Sequence, residues 1–293
     1  MKLNPLGKNL IYVMGAPRSS TTFLQAILDT HPEIYGGPEL DYMYHIVNAF
    51  KKMCNSVDNG RITTYFPDRE YLFDYYRRFL GEIYERKLNE SGKKYFSEKT
   101  PFNTLYFKEY KLLFPEAKII YIVRRPEEVI RSLKNIRHRA ISFGQRPPTM
   151  AKDIFTSIKT IKDYYSNKVE NSSSVLVLKY EDLQANKEEI VKQICGFIGI
   201  DFFPSMLNPE KQHHDADDVN DDLWFNKAAY LNKKAKGKKY ASLELSRLES
   251  QAVKHVFADA PLANSIYNNY KKSTVGKAAW ALLKTNHLIK VMM

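Results

Sequence analysis

GAPRSSTT at residues 15–22 follows the apolar run LIYVM at 10–14 and precedes the helical pattern FLQAILD at 23–29. A strand entering a tight loop that opens a helix leaves several backbone N–H groups aimed at one point, where the helix dipole favours negative charge. The stretch therefore predicts an anion-binding turn at the edge of an α/β sheet. A nucleoside-triphosphate loop would read GxxxxGKS/T, with the lysine on the outer phosphates and the hydroxyl residue on magnesium. Here Ser20 takes the place of the second glycine and Thr21 that of the lysine, while Arg18 brings a cation earlier in the loop. An arginine fork suits phosphate or sulfate oxygens, and Thr21 and Thr22 add hydroxyls at the helix start. On its own, the loop is also compatible with Ser and Thr side chains that only cap the helix.

A second basic segment, KIIYIVRRPEEVIRSLKNI at 118–136, reads as a buried strand over 119–123, a short turn, and a helix opened by Pro126 with Glu127 and Glu128 in its first turn. Arg124 leaves the strand end. Ser132, eight residues on and two turns into the helix, faces back toward the same edge. The two are placed to grip one phosphate. Ligands of open parallel sheets lie outside the carboxyl ends of the strands, so both segments share a rim and one ligand spans them. The alternative for Arg124 is a surface salt-bridge cluster.

Together these residues resemble the sulfotransferases that use 3′-phosphoadenosine 5′-phosphosulfate (PAPS), and more closely their tyrosylprotein-sulfotransferase-like and broad bacterial branch. The match covers most of the first 190 or so residues, with the two motifs in the family's order about 105 residues apart. The resemblance implies a P-loop-like parallel sheet flanked by helices. It implies a 5′-phosphosulfate site on Pro17, Arg18, Ser19, Ser20, Thr21 and Thr22, and a 3′-phosphate site on Arg124 and Ser132.

HPEIYGGPEL at 31–40 resembles the family segment in which a Glu 21 residues beyond the loop Arg is the catalytic base, which makes Glu39 the candidate; a local cap or salt bridge is its alternative. YFSEKTPFN at 95–103 resembles the strand end whose Lys lies near the bridging oxygen of the donor, here Lys99. Sulfuryl transfer requires the acceptor proton to leave as the O–S bond forms. Charge growing on the leaving phosphate oxygen is stabilised by a nearby ammonium and guanidinium, a role shared by Lys99 and Arg18. PAPS is the implied co-substrate and 3′-phosphoadenosine 5′-phosphate (PAP) the product, with no metal.

Some positions depart from the family pattern. Cytosolic members carry a base His in a KTHLP-like run; this chain reads KTPFN, which favours a carboxylate base. His213 and His214 beside Asp215, Asp217 and Asp218 lack the spacing of a defined metal site. Tyr180, in the strand-ending run SVLVLKYEDL at 174–183, borders adenine by resemblance or packs in the core. The run NKKAKGKKY at 232–240, with Lys233, Lys234, Lys236, Lys238 and Lys239, corresponds to the family's basic loop over the 3′-phosphate but departs from its RKGxxGxW form. Asp41 stands where tyrosylprotein members carry Arg, which weakens a protein-tyrosine acceptor and suits a neutral or cationic one, or equally serves to orient a sugar hydroxyl. Carbohydrate, lipid, small alcohol and tyrosine hydroxyls all stay open.

The 293 residues, 44% of them hydrophobic, are expected to form one domain over 1–293. A helical, aromatic-rich insertion is expected at about 40–90 and a C-terminal helical segment at about 243–293. Strands near 9–14, 94–97, 118–123 and 174–179, separated by helical patterns, predict a parallel sheet. Cys54 and Cys195 give no disulfide framework, and no signal-peptide or membrane-spanning pattern is present. The expectation is a cytoplasmic protein, or one of the Golgi lumen if an N-terminal anchor has been removed.

A net charge of +12 points to an anionic ligand or surface, and a doubly phosphorylated, sulfated donor accounts for part of it without any specific nucleic acid. VGKAAWALLKTNHLIKVMM at 275–293 reads as an amphipathic helix, with Lys277, Lys284 and Lys290 against Trp280, Leu283 and Ile289. It either makes a peripheral membrane contact or packs on the domain or a partner subunit. Two other classes compete for the chain: a small-molecule kinase using ATP, disfavoured by the missing lysine, and a non-catalytic basic module that binds polyanions or membranes.

Overall fold

The computed structural model describes residues 4–40, 42–211 and 242–292; Asp41, the 213–218 His/Asp cluster and the 232–240 lysine run lie outside the described residues. Five parallel strands, β1 (Leu10–Met14), β2 (Ile34–Gly36), β3 (Tyr95–Glu98), β4 (Lys118–Val123) and β5 (Val175–Lys179), pair in the order β2-β3-β1-β4-β5. Four of them fall where the apolar runs place them. β2 is the addition: IYG is too short to carry a pattern of its own, and its strand geometry comes from pairing Ile34, Tyr35 and Gly36 with Tyr95, Phe96 and Ser97.

The central strands read as continuous apolar runs because both faces are covered. Leu10, Tyr12 and Met14 of β1 and Ile119, Tyr121 and Val123 of β4 point to one side. There they meet α2 (Met43–Asp58), α3 (Arg69–Ser91), α4 (Phe107–Leu113), α5 (Pro126–Ser142) and α6 (Ile154–Tyr164). Ile11, Val13, Ile120 and Ile122 point to the other, against α1 (Thr21–Asp29), α7 (Tyr180–Ala185) and α8 (Lys187–Ile198). Side chains bound several helix starts. Asp68 accepts from the Tyr71 amide and Asp153 from the Thr156 amide, each at 2.8 Å, and Ser246 with Glu249 forms a capping box.

The aromatic residues of α2 and α3 divide: Phe50, Tyr76 and Tyr84 are core, while Tyr71, Tyr75 and Phe79 are exposed. The C-terminal part forms α9 (Arg247–Phe257), α10 (Pro261–Tyr267) and α11 (Thr274–Met292), and α11 packs on α6 and α9. β1 lies between β3 and β4, with the chain passing first to one side of it and later to the other. A crevice opens outside the carboxyl end of a strand in that position. The 15–20 loop leaves β1 there.

Candidate active site

The loop is tightly constrained. A Cβ on Gly15 would lie 2.5 Å from the Ile122 carbonyl oxygen and 2.8 Å from Ser19 Oγ, so no larger residue fits without displacing β4. Thr104 Oγ1 clamps Gly15 from the opposite side, accepting from its N–H at 2.8 Å and donating to its carbonyl at 3.1 Å. Arg18 and Ser20 both adopt left-handed backbone with φ 73°, a conformation that costs a non-glycine residue roughly 1–2 kcal/mol. Such strain persists where surrounding contacts over-determine it. Here Ser19 is buried and spends both its amide (3.1 Å) and hydroxyl (2.5 Å) on the Ala16 carbonyl. Ser20 precedes α1 without any side-chain cap, and the first helical bond runs from the Leu24 amide to the Ser20 carbonyl at 3.1 Å. The helix opening is thus not consumed by a Ser20 cap.

Arg18 turns toward the second basic segment. Its Nε donates to Ser132 Oγ at 3.1 Å, and its carbonyl accepts from Arg124 Nη1 at 3.0 Å. Burial, then Arg139 and Arg124, lower the Arg18 pKa to about 10. Three guanidinium groups gathered in this way are a standing attraction for an anion. The Tyr180 ring lies 4.3 Å from the Arg124 guanidinium, and the Tyr165 hydroxyl donates to the Arg124 carbonyl at 2.5 Å. Arg124 Nε is buried and has no hydrogen-bond partner among the described residues. A cavity of about 260 Å³ opens beside it, lined among others by Ser132, Asn135, His138, Arg139 and Ser242. Glu128 also borders it, 3.6 Å from Arg124 and ion-paired to Arg131. An orphaned guanidinium N–H, a hydroxyl and clustered arginines fit a phosphate dianion.

The third part of the site is carried by the end of β3. Lys99, only 2% exposed, forms an ion pair with Glu39 and donates to Thr22 Oγ1 at 3.2 Å. Glu39 thus stands beside the first turn of α1, joined to it through the lysine. Behind them Glu98 is fully enclosed: Thr100 Oγ1 donates to one carboxylate oxygen at 2.6 Å and Asn103 Nδ2 to the other at 2.5 Å. Burial pushes its carboxyl up to about pH 7 against the pull of those two hydrogen bonds. Glu98 fixes the 100–103 turn that separates Lys99 from Thr104, the clamp on Gly15.

The structure therefore brings Arg18, Thr22, Glu39, Lys99, Arg124, Ser132 and Tyr180 to one rim. Pro17 and Thr21 are buried within the same turn and Ser19 serves the loop's own hydrogen bonding. Sequence reasoning missed Arg139, Glu98 and Ser242. Arg139 had a signal, since it lies seven residues beyond Ser132 and so on the same helix face. Glu98 had none, because an acidic residue at a strand end does not announce that it is sealed. Ser242 joins the cavity through long-range tethers: Asn135 Oδ1 accepts from the Leu243 amide at 2.8 Å, and Arg131 pairs with Glu244.

Comparison with known proteins shows the family of the chain. The model of the sulfotransferase family matches residues 11–204, and the chain belongs to that family. Protein-tyrosine sulfotransferase 1 of Danio rerio is 26% identical over 205 residues, covering 69% of this chain and 56% of that protein. Protein-tyrosine sulfotransferase 2 of Gallus gallus is 25% identical over 210 residues, covering 69% and 54%. The chain thus spans little more than half the length of these two relatives. Among solved structures, the sulfotransferase domain of a Synechococcus olefin synthase aligns over 85% of this chain and 94% of its own, with 21% identity and a TM-score of 0.49.

Proposed function

We propose that this protein transfers a sulfuryl group from PAPS to an acceptor hydroxyl. The observation that carries the proposal is the contact between Arg18 and Ser132, which joins the two anion-binding segments in one site suited to a donor that carries two phosphate groups. Arg124, Ser132 and Arg139 hold the 3′-phosphate. Arg18, Thr22 and the N–H groups opening α1 hold the 5′-phosphosulfate. Tyr180 steadies the Arg124 guanidinium from its ring face.

In the reaction, Glu39 takes the acceptor proton while the acceptor oxygen attacks sulfur in line. The S–O bond to the 5′-phosphate breaks, its electron pair stays on the phosphate oxygen, and PAP leaves. Lys99 and Arg18 stabilise that developing charge. The ion pair between Lys99 and Glu39 supports this division: the lysine touches both the carboxylate and, through Thr22, the start of α1. The acceptor approaches past aromatic residues. Tyr44 and Phe102 stack at 4.9 Å, and the Tyr164 phenol is raised above its ordinary pKa by burial and then by Asp163, Tyr44 and Glu39. Aromatic walls beside a carboxylate fit a sugar or phenol ring better than a bare aliphatic chain.

The test follows PAP release from PAPS across carbohydrate, lipid, small-alcohol and tyrosine-peptide acceptors. PAP release that depends on one acceptor class and is lost in Glu39→Ala supports the proposal. Donor binding with no acceptor-dependent release from any class counts against transfer.

A further inference from the structure

α11 is apolar on two opposite faces, and only one of them is covered by the described residues. Inside, Trp280 stacks on Phe155 at 4.5 Å, and His287 stacks on the same ring at 4.9 Å while its Nδ1 lies 2.8 Å from Asp153 Oδ2. Gly276 lets the helix close on α9, since a Cβ there would lie 2.6 Å from that of His255. Outside, Val275, Leu282, Leu288 and Ile289 are 66, 48, 49 and 51% exposed. With Ala278 and Ala281 they share one helix face at 3.6-residue spacing. A helix lying on a domain normally turns a polar face outward. This one does not.

Charge decides what covers it. From Pro261 to the end, the sequence holds five lysines, Lys271, Lys272, Lys277, Lys284 and Lys290, and no Asp or Glu. Lys277 and Lys284, one heptad apart and exposed, border one edge of the apolar stripe, while Lys290, one heptad beyond Leu283, is exposed near the helix end on the side of the covered face. We infer that the outer face of α11 docks on an anionic membrane surface. The apolar side chains enter the headgroup boundary, and the lysine stems run alongside with their ammonium groups at the lipid phosphates. The helix lies on the surface and does not cross it, since no helix among the described residues is long and apolar enough to span a membrane. A second copy of the chain fits the same face poorly. A two-fold pairing of α11 sets lysine against lysine, with no carboxylate on the helix to separate them.

The test is co-sedimentation of the full chain with vesicles of phosphatidylcholine alone and of phosphatidylcholine mixed with phosphatidylserine. The expected result is binding to the mixed vesicles only, weakening as salt is raised. Leu282→Glu with Ile289→Glu should lower partitioning by about a hundredfold without shifting the melting temperature, because both side chains already face outward. Lys277→Gln with Lys284→Gln, which leaves the apolar face intact, should lower it by about tenfold or more. Three results would overturn the inference: no binding of the unaltered chain to anionic vesicles at low salt, binding by both double variants as strong as that of the unaltered chain, or a doubled mass in light scattering that Leu282→Glu returns to the monomer. The last would assign the face to a second copy.

Discussion

Arg18 Nε and Ser132 Oγ meet at 3.1 Å although 114 residues separate them in the chain. The contact joins the loop after β1 to the second turn of α5 and makes a single site of two motifs. Arg124 completes the link by donating to the Arg18 carbonyl. Consequences for binding, turnover and stability can be measured separately.

Arg124→Ala should weaken PAP binding by roughly tenfold to a hundredfold, the range expected for loss of charge-assisted hydrogen bonds. Binding of adenosine 5′-phosphate, which lacks the 3′ group, should change much less. A competition titration of the two nucleotides checks this, and equal loss for both would separate Arg124 from the 3′-phosphate.

Glu39→Ala should leave PAP affinity within a few-fold of the unaltered protein and lower turnover by about a hundredfold or more. Lys99 loses its ion-pair partner in this variant but keeps its bond to Thr22. Single-turnover kinetics at saturating donor separate the two effects. A fall in donor affinity as large as that of Arg124→Ala would assign Glu39 to binding.

Much of this was legible in the sequence, for identifiable reasons. β1 and β4 are buried on both faces, so their apolar runs stand out, and a strand that ends in Arg and enters a Pro-Glu-Glu helix start fixes where Ser132 faces. Glu39 lies 21 residues beyond Arg18, and only the resemblance singled it out, because no local pattern links it to Lys99. Tyr180 was legible as a ring at a strand end but not as the support under Arg124, which depends on how β4 and β5 sit side by side. β2 escaped because three residues at a sheet edge take their conformation from the neighbouring strand. Glu98 escaped because its burial is produced by Asn103 and Thr100 folding back over it.

Stability should carry the signature of Glu98. Its folded-state pKa of about 7 lies above the ordinary value of 4.5, so between those limits the folded chain holds a proton that the unfolded chain has lost. The Glu98 contribution to stability therefore falls as pH rises through that window, with a slope of at most about 1.4 kcal/mol per pH unit. Glu98→Gln should flatten this part of the profile. Urea unfolding of both proteins across the window checks it, and parallel profiles would contradict the assignment.

Gly15→Ala should destabilise the fold by about 1–3 kcal/mol, because the added methyl meets the Ile122 carbonyl at 2.5 Å, a backbone atom that cannot rotate aside. Thermal melting reads the loss. PAP affinity should fall with it, since Gly15 also anchors the loop to Thr104. An unchanged melting temperature would show that β4 yields more readily than its packing suggests.

The most direct test of the account is titration calorimetry of the purified protein with PAP, set against adenosine 5′-phosphate and against ATP with magnesium. The merged site around Arg18, Arg124 and Ser132 predicts micromolar binding that requires the 3′-phosphate. No binding of PAP, or a preference for magnesium ATP, would contradict it and assign the loop to a kinase or to a pocket without catalysis.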